Sequence, residues 1–295
     1  MKKIIWIILI GHAVGFFVVF QWLQNDAQNV VKYFPLDETV SFEETSTSLK
    51  MLSESDQDEY EINWTTNSKL KEPVYLRQDI SLLYEDGRLK GVLGKWKENS
   101  QDLVQEEKVQ GEDSGHYQAI TYHHGEIHYP DDRIKSIQDM TQSELYVIDS
   151  PLTPLESFTE PENQQQIDWK ETLDRATQQQ LAYRWNQLVT HFSIPLEQYE
   201  RIPLTTLPEY KTKPLPGLDI EQTQQVIGQL WEGLYKNYIL DFTASSNPTN
   251  QTSYVPLILA DKDGKHLLVL YENARGKKEK LLQYYPEPSS SPKSS

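Results

Sequence analysis

Hydrophobic residues fall into three patterns along the 295-residue chain: one long apolar run, then alternation, then helical spacing. The run occupies residues 4–20 and is closed by Gln21, Trp22 and Leu23. At about 1.5 Å of rise per helical residue it is long enough to cross a bilayer once. Further on, Tyr60, Ile62 and Trp64 alternate with polar residues, the period of a half-buried strand. Ile80, Leu82 and Tyr84 repeat that period. Asp86-Gly87 then supplies a tight turn, because glycine takes positive φ without steric cost. Residues 89–96 return as the paired strand, and further strands are expected at 103–109, 117–123, 126–129 and 145–148. Residues 134–142 fit a helical turn or a strand.

The spacing changes after Pro151, Pro154 and Pro161, whose missing N–H groups exclude central strand and helix interior. Trp169, Leu173, Ala176, Leu188 and Phe192 recur at helical intervals over 167–192, with Asp168 as the cap and Pro195 past the end. Pro203, Pro208, Pro214 and Pro216 make an extended crossing. A second helix is expected over 219–240, with Val226, Ile227, Leu230, Leu234 and Tyr238 on one face. Residues 255–260 and 266–271 flank Asp263-Gly264 as a hairpin, and residues 280–285 add a strand.

The expected fold is therefore α+β. A single N-terminal transmembrane helix precedes an extracytoplasmic body, in which a β-rich half is followed by two helices and a C-terminal β-hairpin or meander. The chain divides into a cytoplasmic start (1–3), an anchor (4–23), an acidic spacer (24–57), a β-rich region (58–150), a Pro-containing connector (151–164), an α+β region (165–285) and a disordered Pro/Ser-rich tail (286–295).

Charge orients the anchor. Lys2 and Lys3 precede it and Asp26 is the first charge after it, so the positive-inside rule keeps the N-terminus in the cytoplasm. Trp6 and Trp22 fall near the two interfaces, where indole rings prefer to lie. The apolar core is longer than a secretory signal's, and no A-x-A-like cleavage site follows, so the run reads as an uncleaved signal-anchor. Gly11 and Gly15 form a G-x-x-x-G pair that clears one helix face for another helix, and His12 places a polar group beside it.

Composition sharpens this picture. The 44 acidic side chains outnumber the 28 basic ones, giving a formal net charge of −16, which disfavours nucleic acid and anionic headgroups as partners of the body. With no cysteine, lipoprotein attachment and disulfides are excluded, which fits a Gram-positive-like cell envelope. This layout of one span and a Cys-free exterior domain resembles that of Gram-positive envelope proteins, in topology only.

Chemistry concentrates in one place. Four of the seven histidines lie within residues 116–128. His116, His123, His124, Glu126 and His128 are the candidate metal ligands. In one continuous strand, His124, Glu126 and His128 share a face; with a turn at His124-Gly125, His123 faces Glu126 instead. Either geometry starts a two-ligand divalent-metal site or a histidine–carboxylate pair that responds to pH, while ordinary hydrogen-bonded strand histidines remain the simpler account. Asp261-Lys262-Asp263-Gly264 resembles part of a calcium loop but lacks its far Glu, and reads as a turn. Ser68-Lys69-Leu70-Lys71 matches S-x-x-K without the companion motifs of penicillin-recognising enzymes. No G-x-S-x-G, phosphate-binding glycine loop or H-E-x-x-H occurs, and no catalytic residue is assigned.

The expected function is accessory or regulatory: an envelope protein that binds another membrane or envelope protein, with no cofactor. A cell-wall glycan-binding or glycan-processing role is the alternative, and it would require a cleft with two carboxylates and exposed rings. A metal-binding or pH-responsive histidine cluster is the third.

Overall fold

Two long strands organise the β-rich half. β2 (Tyr60–Glu85) and β3 (Arg88–Gly111) form an antiparallel hairpin turned at Asp86-Gly87, where φ is +49° and +77°. Gly87 also lies close against helix α1 (Gln164–Phe192). A Cβ there would come within 2.8 Å of Leu181, so the turn needs glycine for space as well as for φ. The computed structural model describes residues 31–52, 59–151, 153–243 and 253–285. The anchor expected at 4–23, with Gly11, His12 and Gly15, and the tail at 286–295 lie outside these. No helix among the described residues is long and apolar enough to cross a membrane.

The ladder between β2 and β3 shifts register between Lys69 and Val74, and the hairpin folds back on itself there. β1 (Glu44–Leu52) pairs with the first half of β2, while β4 (Gly115–His128) pairs with the second half. β5 (Ile134–Ser150) and β6 (Thr153–Phe158) extend that second layer. Inward residues are even-numbered in the first half (Tyr60, Ile62, Trp64) and odd-numbered in the second (Asp79, Ser81, Leu83), so the bend switches the parity. Between the layers, Trp64, Ile62, Tyr60 and Leu49 pack on Leu83, Tyr117, Ala119, Leu145 and Val147. The outer face of the second layer, with Ile80, Leu82, Ile120, Tyr122 and Met140, enters a larger core shared with the C-terminal half.

That half is built on helix α1 (Gln164–Phe192), helix α2 (Ile220–Leu234) and a sheet in the order β10-β9-β8-β7. β7 spans Tyr199–Pro203, β8 Leu257–Asp261, β9 His266–Glu272 and β10 Lys278–Tyr284. β8 and β9 are apolar on both faces because both are covered. Ile258, Ala260, Leu267 and Val269 face the α2 side with Val226, Ile227, Leu230 and Trp231. Leu257, Leu259, Leu268 and Leu270 face Trp185, Leu188 and Val189 of α1. Helix α1 also reaches the first sheet, where Trp169 and Leu173 pack on Tyr146, Ile148 and Phe158.

Three local expectations change. Glu44–Leu52, read as spacer, is strand β1: Leu49 is buried, and Thr45 and Thr47 replace apolar anchoring with hydrogen bonds to Asp139, Thr121 and Thr141 at 2.5–2.6 Å. Asn163, not Asp168, caps α1, its side chain accepting from the Gln166 N–H at 3.0 Å. The proline-rich crossing contains β7 and a 3₁₀ stretch, Leu204–Lys211. Asp219 caps α2, in a reciprocal capping box with Gln222.

Candidate functional site

Strand β4 carries the histidine cluster as one continuous strand, so the turn at His124-Gly125 does not form. Parity then separates the five candidate ligands. His123 points between the two β layers, whereas His116, His124, Glu126 and His128 lie on the opposite face, spread along the strand. Among the described residues, no three His, Asp or Glu side chains converge on a point where a metal ion would sit. The single metal centre drawn from His116, His123, His124, Glu126 and His128 is therefore not brought together.

Inside the sandwich, His123 belongs to a buried polar spine. Its Nδ1 lies 2.9 Å from Asp79 Oδ2 and its Nε2 lies 2.8 Å from Thr141 Oγ1. Ser68 donates to the same Asp79 oxygen, and Arg77 donates to Ser68 and to the Gln101 carbonyl at 2.9 Å. The chain of hydroxyls continues through Thr47 and Thr121 to Ser81, which also accepts from Trp64 Nε1 at 3.2 Å. Asp79 and His123 are fully buried. An Asp–His–Thr array resembles a proton relay in its parts, yet its Asp and His are out of contact with solvent. Arg77 and Asp79 face each other at 4.0 Å, and the hydrogen bonds to Asp79 Oδ2 offset part of the cost of burying charge, while Asp79 Oδ1 and Arg77 Nε have no hydrogen-bond partner among the described residues.

On the other face, His124 is buried against Tyr122 and meets Ser136 Oγ at 3.2 Å. Burial pushes its pKa down to about 4. Glu126 and His128 pair at 3.2 Å, and the His128 ring stacks on the exposed Tyr75 with 3.7 Å between centres.

His116 borders a cleft. This cleft, about 310 Å³, lies between β4–β5, the middle of α1 (Lys170 to Trp185) and the start of the 3₁₀ stretch. The imidazole stacks on Tyr146 at 4.3 Å and is 5 % exposed. Its Nδ1 faces Asp174 of α1 at 3.4 Å and its Nε2 faces Glu144 of β5 at 3.8 Å. Lys170 of α1 lies over the Tyr146 ring and pairs with Asp174 at 3.1 Å, while Tyr146 donates its hydroxyl proton to Asp174 at 2.8 Å. The close approach of His116 and the hydrogen bond from Gln118 hold Glu144 down to about 2, against the opposing effect of burial. The two carboxylates sit on opposite ring nitrogens, so no single ion takes both with His116. The set ties α1 to the sheet, and its charges are answered by one another.

Sequence reasoning missed Arg77, Asp79, Glu144 and Asp174. Arg77 and Asp79 carried a signal: two charges two apart inside the apolar strand that runs on to Ile80, Leu82, Leu83 and Tyr84, hence one buried face. Glu144 and Asp174 meet His116 only in space.

No protein-family model matches the chain, and no curated protein matches it. Among solved structures, it is similar to the solution structure of AT1g01470 from Arabidopsis thaliana, at 11 % identity and a TM-score of 0.26, over 40 % of this chain and 88 % of that one. A likeness of that degree carries no argument about fold or function.

Proposed function

We propose that the chain is a single-pass, membrane-anchored accessory or regulatory protein of the cell envelope whose extracytoplasmic α+β body works by binding another protein. The observation that carries this reading is the division between closed chemistry and open surface. The Asp79–His123 spine is sealed inside the sandwich, and the charges around His116 are spent joining α1 to β4 and β5. Exposed features lie on the outside instead, among them strand edges that no strand of the described residues pairs and the rings of Tyr75, Tyr183 and Tyr284. The apolar run at 4–20 behind Lys2 and Lys3 supports the tether, and Gly11, His12 and Gly15 supply a helix-packing face.

The chain has no cysteine, so a single Tyr183→Cys variant gives a clean topology probe at a 62 % exposed position. A membrane-impermeant maleimide should label it in intact cells; labelling only after lysis would overturn the reading. Co-purification from gently solubilised membranes, beside a Gly11→Ile/Gly15→Ile variant, then tests partnership. A partner lost in the variant places recognition in the span, a partner retained places it in the body, and none in either contradicts the proposal.

The His116 cleft lends the glycan reading one observation, since Glu144 and Asp174 lie there beside Tyr146 and Trp185. Tyr146, however, is buried between His116, Phe158 and Lys170, and offers no free ring for a sugar. Retention of the protein on purified cell wall would favour this second reading.

A further inference from the structure

Edge strands of the two sheets are β1, β3, β6, β7 and β10, and they are not equally available. β1 is held to β5 through Thr45–Asp139, Thr47–Thr141 and the Leu49 N–H to Ser143. β3 bends and carries charges of both signs, with Asn99 at positive φ. β6 and β7 are short, and Pro154 and Pro203 each remove a donor.

β10 is different. Tyr285 N–H bonds to the Lys265 carbonyl and Asn273 N–H to the Lys277 carbonyl, both at 2.9 Å, in the same unbroken register as the β9–β10 ladder. Because hydrogen-bonded pairs alternate in an antiparallel ladder, the odd positions of β10 face β9. The N–H and C=O groups of Lys278, Lys280, Leu282 and Tyr284 therefore point away from the sheet, and among the described residues no strand takes them. Their side chains lie on the α1 side: Lys280 sits over Phe192 at 5.3 Å, and Lys278 donates to the Gln187 carbonyl at 3.4 Å. Leu282 and Tyr284 are 49 % and 71 % exposed, apolar groups two apart on a strand.

Charge selects the occupant. Residues 275–280 hold Arg275, Lys277, Lys278 and Lys280 against Glu279 alone, a basic stretch on a chain of net charge −16. Lysines on an edge repel a second copy of the same strand, while an acidic strand is attracted. We propose that β10 is a docking edge for an acidic, extended segment of a partner protein, which adds as a fifth strand with its carboxylates near Lys278 and Lys280 and its apolar side chains against Leu282 and Tyr284. This rests on the reading of the body as a binding protein and names the chemistry of its partner.

The test uses the full-length protein in detergent micelles and a short capped peptide of alternating Glu and Val. Binding should slow amide exchange at Lys278, Lys280, Leu282 and Tyr284 and leave Glu279, Leu281 and Gln283, already bonded to β9, unchanged. Lys278→Glu/Lys280→Glu should weaken binding about tenfold or more, as opposed charges become like charges. Leu282→Pro should abolish it, because it removes an outward N–H and not a ladder donor; unchanged exchange at Glu279, Leu281 and Gln283 verifies that the variant is folded. No protection, equal protection by a Lys–Val peptide, or binding that survives Leu282→Pro would each overturn the proposal. So would protection without peptide: rising with protein concentration it assigns the edge to a second copy, and independent of concentration to the chain's own remaining segments. A failure here leaves the labelling and co-purification results standing, so it is distinguishable from failure of the broader reading.

Discussion

His116 and His123 stand on one strand, each beside carboxylate, and play opposite structural parts. His123 faces inward and joins the buried Asp79 and Ser68 and the half-buried Thr141 in a hydrogen-bonded spine, inside one layered unit. His116 faces outward and joins Glu144 of β5 to Asp174 of α1, across a seam between units. An odd separation along a strand decides this, since it places the two rings on opposite faces. The comparison teaches that the same pair of residue types makes a core brace where both layers are sheet, and a joint where the neighbour is a helix.

Breaking the brace should cost most. Asp79→Ala removes the partner of Ser68 and His123 and takes from Arg77 its nearest anion, and stability in urea unfolding should fall by about 3–5 kcal/mol. Asp79→Asn should lose less, since it keeps an acceptor for Ser68. A loss below about 1 kcal/mol for Asp79→Ala would show that the spine is not a brace.

His124, on the outward face but buried, sharpens the contrast through pH. Its imidazole titrates near 6.5 unfolded and about 4 folded, so between those values only the unfolded state takes up the proton. Stability should therefore fall as pH drops from 6.5 to 4, by up to about 3 kcal/mol, and the term should be constant below 4. A His124→Gln variant, measured by urea midpoint against pH, should lose that slope.

The joint should break locally and at lower cost. His116→Gln should cost about 1 kcal/mol, because Glu144 and Asp174 keep part of their solvent contact, and should raise amide exchange in α1 around Lys170–Asp174 more than in β2. Glu144 is held at about 2 against an ordinary 4.5, so its stabilisation is full above 4.5 and is lost as pH falls toward 2. That acid-side loss should flatten in His116→Gln. Smallest of all, Asn163→Ala should cost roughly 0.5–1 kcal/mol through the α1 cap and spare the spine, read by thermal unfolding and exchange at Gln166.

The sequence made much of the fold legible where a single face is buried. Alternation at Tyr60–Trp64 and Ile80–Tyr84, and the Asp86-Gly87 turn, correspond to β2 and its hairpin. Legibility failed where polar groups replace apolar ones. Thr45 and Thr47 bury their hydroxyls against partners far along the chain, so β1 looked like spacer. The cleft was half visible. His116 stood out in the histidine-rich stretch, but Glu144 and Asp174 join it from two other elements, and no spacing encodes that meeting. The parity switch across Lys69–Val74 was likewise hidden, because it depends on where the hairpin bends.

The most direct measurement places a photo-crosslinking side chain at Leu282, on the open edge, or at Thr177, in the His116 cleft, and irradiates native membranes. A protein adduct is expected from Leu282, lost in Lys278→Glu/Lys280→Glu, and none from Thr177. An adduct from Thr177 with Leu282 silent would contradict this, moving recognition from the outer edge to the seam.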